Sequence, residues 1–122
     1  MKLHGLRTVV YMVDDLAKAK EWYSKAFGIA PYFDEPFYVG FNVGGYELGL
    51  HPCEGKNVAS SSATVAYWGV DNVESMYFEL LAMGATELEK PTNVGGELVI
   101  AAVSDPWNNP VGIIYNPEFK LP

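Results

Sequence analysis

The chain has 122 residues, enough for about one domain, and its acidic and basic side chains leave a net charge of −7. A content of 49% hydrophobic and 19% charged residues excludes a disordered tail or a coiled coil, and a chain this long folds without a metal or disulfide staple. Only eight basic side chains stand against fifteen acidic ones, so the footprint of a nucleic-acid binder is missing.

The N-terminal stretch MKLHGLRTVVYM has no signal-peptide pattern, and no segment reaches the ~18 apolar residues of a membrane span. A strand ending at Val13 comes first. Asp14 or Asp15 then caps a helix whose apolar positions, Leu16, Ala19, Tyr23, Ala26 and Phe27, share one face. Trp22 lies off that face and is expected at the surface. Gly28 stops the helix. A short strand is expected over 31–33, and strands over 37–43 and 46–51 flank Gly44-Gly45, a hairpin signal. The lone Cys53 excludes a disulfide within the chain, which suits a reducing cytoplasm, and its polar surroundings make it a plain thiol. Polar and small residues then mark a linker over about 53–61.

The same order returns beyond the linker. A strand runs from Val65 to Val70, and Asp71 with Glu74 forms a capping box for a helix that buries Val73, Met76, Tyr77 and Leu80. Gly84 stops it. Strands are expected over 86–88, 97–104 and 111–115, the last two joined by the turn Asp105-Pro106-Trp107-Asn108-Asn109-Pro110. Val13-Asp14 and Gly28 thus recur as Val70-Asp71 and Gly84, an internal repeat. The expected fold is α+β: one domain over 1–122, built from two βαβββ modules at about 3–52 and 62–117. The charge is uneven, since the first 59 residues are nearly balanced and the rest carry two basic and eight acidic side chains.

Val13-Asp14-Asp15-Leu16, Phe27-Gly28, Tyr67-Trp68-Gly69-Val70-Asp71, Met83-Gly84-Ala85-Thr86 and the turn from Asp105 to Pro110 resemble, in order, motifs of the vicinal oxygen chelate superfamily. That superfamily includes glyoxalase I, bleomycin-resistance proteins, fosfomycin-resistance enzymes and extradiol dioxygenases. Asn108 stands where the family's turn has Gly. The resemblance implies one curved mixed sheet around a cavity with helices on the outer face, and a homodimer. It places metal ligands at four positions, which here hold Thr8, Gly49, Val65 and Gly112. None is a His, Glu, Asp, Gln or Cys, so no metal and no cofactor is expected. The two histidines, His4 and His51, fall elsewhere.

Strand parity assigns Thr8, Val10, Met12, Glu47, Gly49, His51, Val65, Tyr67, Gly112 and Ile114 to the cavity side. Such a lining is apolar with a few polar points, as small-molecule pockets are; the bland alternative is that the apolar side chains fill the space. Glu47 and His51 lie about 13 Å apart along a strand, too far to chelate one metal together, so pocket-rim or surface polar roles are expected. The expected function is metal-free binding or sequestration of a small neutral or cationic organic ligand. The single Arg7 and the acidic second half disfavour an anion. Two alternatives remain: a lyase, isomerase or dioxygenase of the superfamily with relocated catalytic residues, and a vestigial domain acting through protein contacts.

Overall fold

The computed structural model describes Lys2, His4 and residues 6–53 and 65–117. The chain divides into two compact units, Met1–Val58 and Ala59–Pro122, each holding one copy of the repeat. Most of the expected linker, from Glu54 onward, lies outside the described residues. No described helix is long and apolar enough to cross a membrane.

The first unit contains β1 (Thr8–Val13), α1 (Leu16–Phe27), β2 (Phe33–Glu35), β3 (Tyr38–Val43) and β4 (Tyr46–Pro52). Its sheet has the order β1-β4-β3-β2, with β1 parallel to β4 and the other pairs antiparallel. Asp15 caps α1, its side chain accepting from the Lys18 amide at 3.0 Å, and Gly28 closes the helix with φ 68°. The β3–β4 hairpin turns on two residues with positive φ, 60° at Gly44 and 96° at Gly45. Side chains other than Gly, Asn and Asp resist that backbone, which is why a Gly pair marks the turn. The core face carries Tyr11, Val13, Val39, Phe41, Leu48 and Leu50, buried against Ala19 and Tyr23 of α1. Trp22 is half-buried, not exposed, because its indole packs edge-on against the Tyr23 ring at 4.8 Å.

The second unit repeats the plan with β5 (Tyr67–Gly69), α2 (Val73–Ala82), β6 (Thr86–Gly95), β7 (Leu98–Ser104) and β8 (Pro110–Tyr115). Its sheet has the order β5-β8-β7-β6, and β5 is parallel to β8. The expected βαβββ pattern holds in both modules, and the eight strands hydrogen-bond as two four-stranded sheets, one per module. The cap of α2 is Asn72, not Asp71: its side chain accepts from the Ser75 amide at 2.9 Å. Asn is as good a cap as Asp, and it lies one residue nearer the first buried position, Val73. The strand expected over 86–88 runs to Gly95 as an edge strand with three register shifts. Its charged residues and Pro91 hide it from pattern reading, yet an exposed, bulged edge accommodates both.

The Asp105–Pro110 turn is held from within. The buried Asp105 carboxylate accepts from the backbone amides of Trp107 at 2.9 Å and Asn109 at 2.7 Å, and from the Asn109 side chain. Asn108 adopts φ 74°. Asn tolerates the left-handed region better than other residues with a side chain, so it serves where the family's turn has Gly.

Candidate functional site

In the first unit, the face turned away from α1 is set by register. Thr8 pairs with Glu47, Val10 with Gly49 and Met12 with His51, while Gly40 pairs with Gly49 across the hairpin. Partners in register project to one side of a sheet, so the six expected residues of this unit do share a face. Glu47 is its electrostatic centre. One carboxylate oxygen accepts from the Thr8 hydroxyl at 2.8 Å, and the other from the Tyr32 phenol at 2.5 Å.

The Tyr32 hydrogen bond, with further hydroxyls from Thr8 and Tyr38, holds the Glu47 carboxyl below its ordinary 4.5 against the opposing effect of partial burial. In return, the hydrogen bond to Glu47 raises the Tyr32 phenol. Burial, then the Glu47 charge, push Tyr38 to about 12. Both phenols therefore stay protonated donors at neutral pH, and Glu47 stays an anion.

Around this carboxylate opens a cleft of about 480 Å³ lined by Tyr32, Phe33, Phe37, Tyr38, Glu47 and His51. Phe33 joins its aromatic wall: its ring centre lies 6.5 Å from Tyr32, 6.1 Å from Phe37 and 6.1 Å from Tyr38. The wall is open to solvent, with Tyr32 64%, Phe37 63% and Phe33 38% exposed. The His51 ring nitrogen Nδ1 lies 2.9 Å from the Pro52 carbonyl oxygen. A carbonyl only accepts, so Nδ1 carries the proton, and in the neutral ring Nε2 is left as an acceptor.

Three glycines let these side chains lie flat on the sheet. A Cβ at Gly49 would overlap the Tyr38 hydroxyl, and one at Gly40 would come within 2.7 Å of Glu47 and 3.1 Å of the Tyr32 ring. In the second unit a Cβ at Gly112 would meet the Tyr67 ring at 2.6 Å and the Ala66 carbonyl at 2.8 Å. The two glycine positions of the family's ligand pattern are thus covered by tyrosines, which come from different strands. Tyr38 reaches Gly49 from β3; Tyr67 covers Gly112 from β5, its register partner.

Of the ten expected pocket residues, the cleft lining takes Glu47 and His51 directly, and Thr8 joins through its bond to Glu47. Val10 shares their face and is exposed; Met12 shares it and is half-buried. Tyr67, Gly112 and Ile114 share the corresponding face of the second unit, whereas Val65 precedes β5 and stands outside its ladder. Tyr32, Phe33, Phe37 and Tyr38 were not anticipated. The hairpin register carried a signal for Tyr38, since counting back from Gly44-Gly45 puts it on the Glu47 face toward the His51 end of β4. No periodicity pointed to Tyr32 or Phe37, which lie just outside strands.

Two sets of known structures and sequences bear on this chain. A glyoxalase-related enzyme from Fulvimarina pelagi superposes with a TM-score of 0.80 at 21% identity, covering 98% of this chain and 94% of that one. A glyoxalase/bleomycin resistance protein/dioxygenase family enzyme from Burkholderia phytofirmans PsJN gives 0.75 at 20% identity, over 88% and 95%. The fosfomycin resistance protein FosX from Listeria monocytogenes, solved with Mn(II) and sulfate, gives 0.79 at 15% identity, over 96% and 94%. At these identities the likeness is one of fold. No match was found among curated proteins. The family model described as Glyoxalase/Bleomycin resistance protein/Dioxygenase superfamily matches residues 5–113, nearly the whole of both modules, and the chain belongs to that superfamily.

Proposed function

We propose that the protein binds a small neutral or cationic organic ligand without a metal, in the aromatic cleft of its first module. The observation that carries this reading is the cleft itself: an open, largely apolar aromatic wall beside a space of about 480 Å³, with one carboxylate held in place by hydroxyl groups. Pockets for small organic molecules combine apolar walls with a few convergent polar groups in this way.

The donor set does not fit the metal of the family's metalloenzymes. Thr8, Gly49, Val65 and Gly112 offer one hydroxyl among four positions, and that hydroxyl donates to Glu47. Tyrosines cover the two glycines, so no ligand side chain fits there without moving them. Among the described residues no three His, Cys, Asp or Glu side chains come together as a metal site. Zinc needs about three such ligands, and Mg²⁺ or Mn²⁺ needs carboxylate oxygens.

An amide NMR titration against a library of amines, neutral aromatics and carboxylic acids tests the reading. Shifts should cluster at Tyr32, Phe33, Phe37, Tyr38 and His51. Shifts confined to other residues would move the site elsewhere, and stoichiometric micromolar binding of Zn²⁺ or Mn²⁺ at Glu47 would overturn the metal-free part. A cytoplasmic homodimer belongs to the same proposal; light scattering at the monomer mass would remove the dimer from it.

A further inference from the structure

We infer that the cleft selects organic cations: ligands with one positively charged nitrogen, an ammonium or amidinium, on an apolar or aromatic body. The inference rests on the small-molecule reading above and narrows it to a chemical class.

Glu47 is a half-buried anion with hydroxyl partners only. Among the described residues no Lys or Arg pairs with it; the ion pair of this unit, Lys20 with Asp34, is at another place. Hydroxyl donors stabilise the charge without neutralising it, so the carboxylate still attracts a cation. A carboxylate has about four acceptor sites, and three hydroxyls leave room for one more donor. The wall beside it is built of four aromatic rings, whose faces are electron-rich and attract ammonium groups. The exposed rings of Tyr32, Phe33 and Phe37 also offer apolar area for the ligand's body.

The remaining polar point agrees. With Nδ1 committed to the Pro52 carbonyl, the neutral His51 ring leaves an acceptor, again suited to an N–H donor on the ligand. An anion would meet Glu47 with no guanidinium or ammonium in the lining to offset it. A neutral body would gain the apolar contacts alone. Charge and ring chemistry therefore favour the same ligand class, from independent groups on three strands and two loop positions.

The test compares three probes that share a benzene ring and differ in one small polar group, benzylammonium, benzyl alcohol and benzoate, titrated into the intact protein and read by amide NMR. The cation should bind about tenfold more tightly than the alcohol, and benzoate should bind more weakly than either. Glu47→Gln keeps the size of the side chain and should bring the cation down toward the alcohol. Phe37→Ala should weaken cation and alcohol together. Alcohol binding as tight as the cation would overturn the selection for charge while leaving a small-molecule cleft in place. Absence of shifts at these residues for all three probes at millimolar concentration would overturn the cation inference; the wider library then decides whether the cleft binds anything else.

Discussion

The two modules carry one carboxylate each at a structurally important place, and their surroundings send them to different tasks. Asp105 is 3% exposed and accepts backbone and amide N–H groups of its own turn. It is a structural anion, its charge spent on the chain. Glu47 accepts from side-chain hydroxyls on the open face of a sheet, beside an aromatic cleft. Alignment of Leu48-Gly49-Leu50 with Val111-Gly112-Ile113 places Pro110 where the first module has Glu47, and Ile114 where it has His51. The repeat thus conserves the frame and differs in what the frame displays. One fold built twice supports one face centred on a carboxylate and one that carries Tyr67 with no acidic side chain at the matching position, because a sheet's hydrogen bonds do not constrain the outward side chains.

The largest effect is expected at the structural carboxylate. Asp105→Ala leaves buried amides without an acceptor and should cost about 3 kcal/mol, with a clear fall in the thermal midpoint. A loss below about 1 kcal/mol by urea denaturation would erase the contrast drawn between the two anions.

The glycines sharpen the comparison next. Gly112→Ala drives a methyl group against the Ala66 carbonyl, which is main chain and cannot swing aside, as well as against Tyr67. Overpacking of this kind should cost about 2 kcal/mol. Gly49→Ala meets the outer end of the Tyr38 ring, which can rotate away. Its stability loss should stay under about 1 kcal/mol, while ligand-induced shifts at Tyr38 and His51 shrink. Paired melting curves check the ordering; equal losses would show that both tyrosines are equally fixed.

The smallest effects are those of pH. Glu47 is held below 4.5, so its folded carboxylate loses protons more readily than the unfolded one. Its contribution to stability is present above pH 4.5 and is lost as the pH falls through the lowered value. The Glu47 contribution to cation affinity should accordingly stay constant from neutral pH down to about 4.5 and decline only below it. Tyr38 works in the other direction. Raised from 10.0 to about 12, it favours the folded state below pH 10 and loses that contribution as the pH climbs toward 12. An ultraviolet titration of wild type against Tyr38→Phe checks this; a tyrosinate signal at pH 10 from Tyr38 would contradict its shielding by the sheet and by Glu47.

Much of the frame was legible because it depends on local rules. The helix over 16–27, its cap at one of two neighbouring aspartates and the Gly44-Gly45 hairpin follow from periodicity, capping and turn chemistry within a few residues. The edge strand β6 was read too short because its bulged, charged run obeys the needs of an exposed edge and shows no alternation. The α2 cap moved by one residue because Asp71 and Asn72 are chemically equivalent candidates.

The sequence by itself determined the duplicated βαβββ plan and the shared face of Thr8, Val10, Met12, Glu47, Gly49 and His51, because each follows from a period or a turn; the four ligand positions came from the resemblance to the superfamily. Only the tertiary structure decided that Tyr32 and Tyr38 converge on Glu47, that Phe33 and Phe37 wall the cleft, and that tyrosines from different strands cover Gly49 and Gly112. Those contacts join residues from separate strands and loops, where the direction of a long aromatic side chain is set by the space its neighbours leave, and a glycine's empty place is visible only once the strand beside it is known.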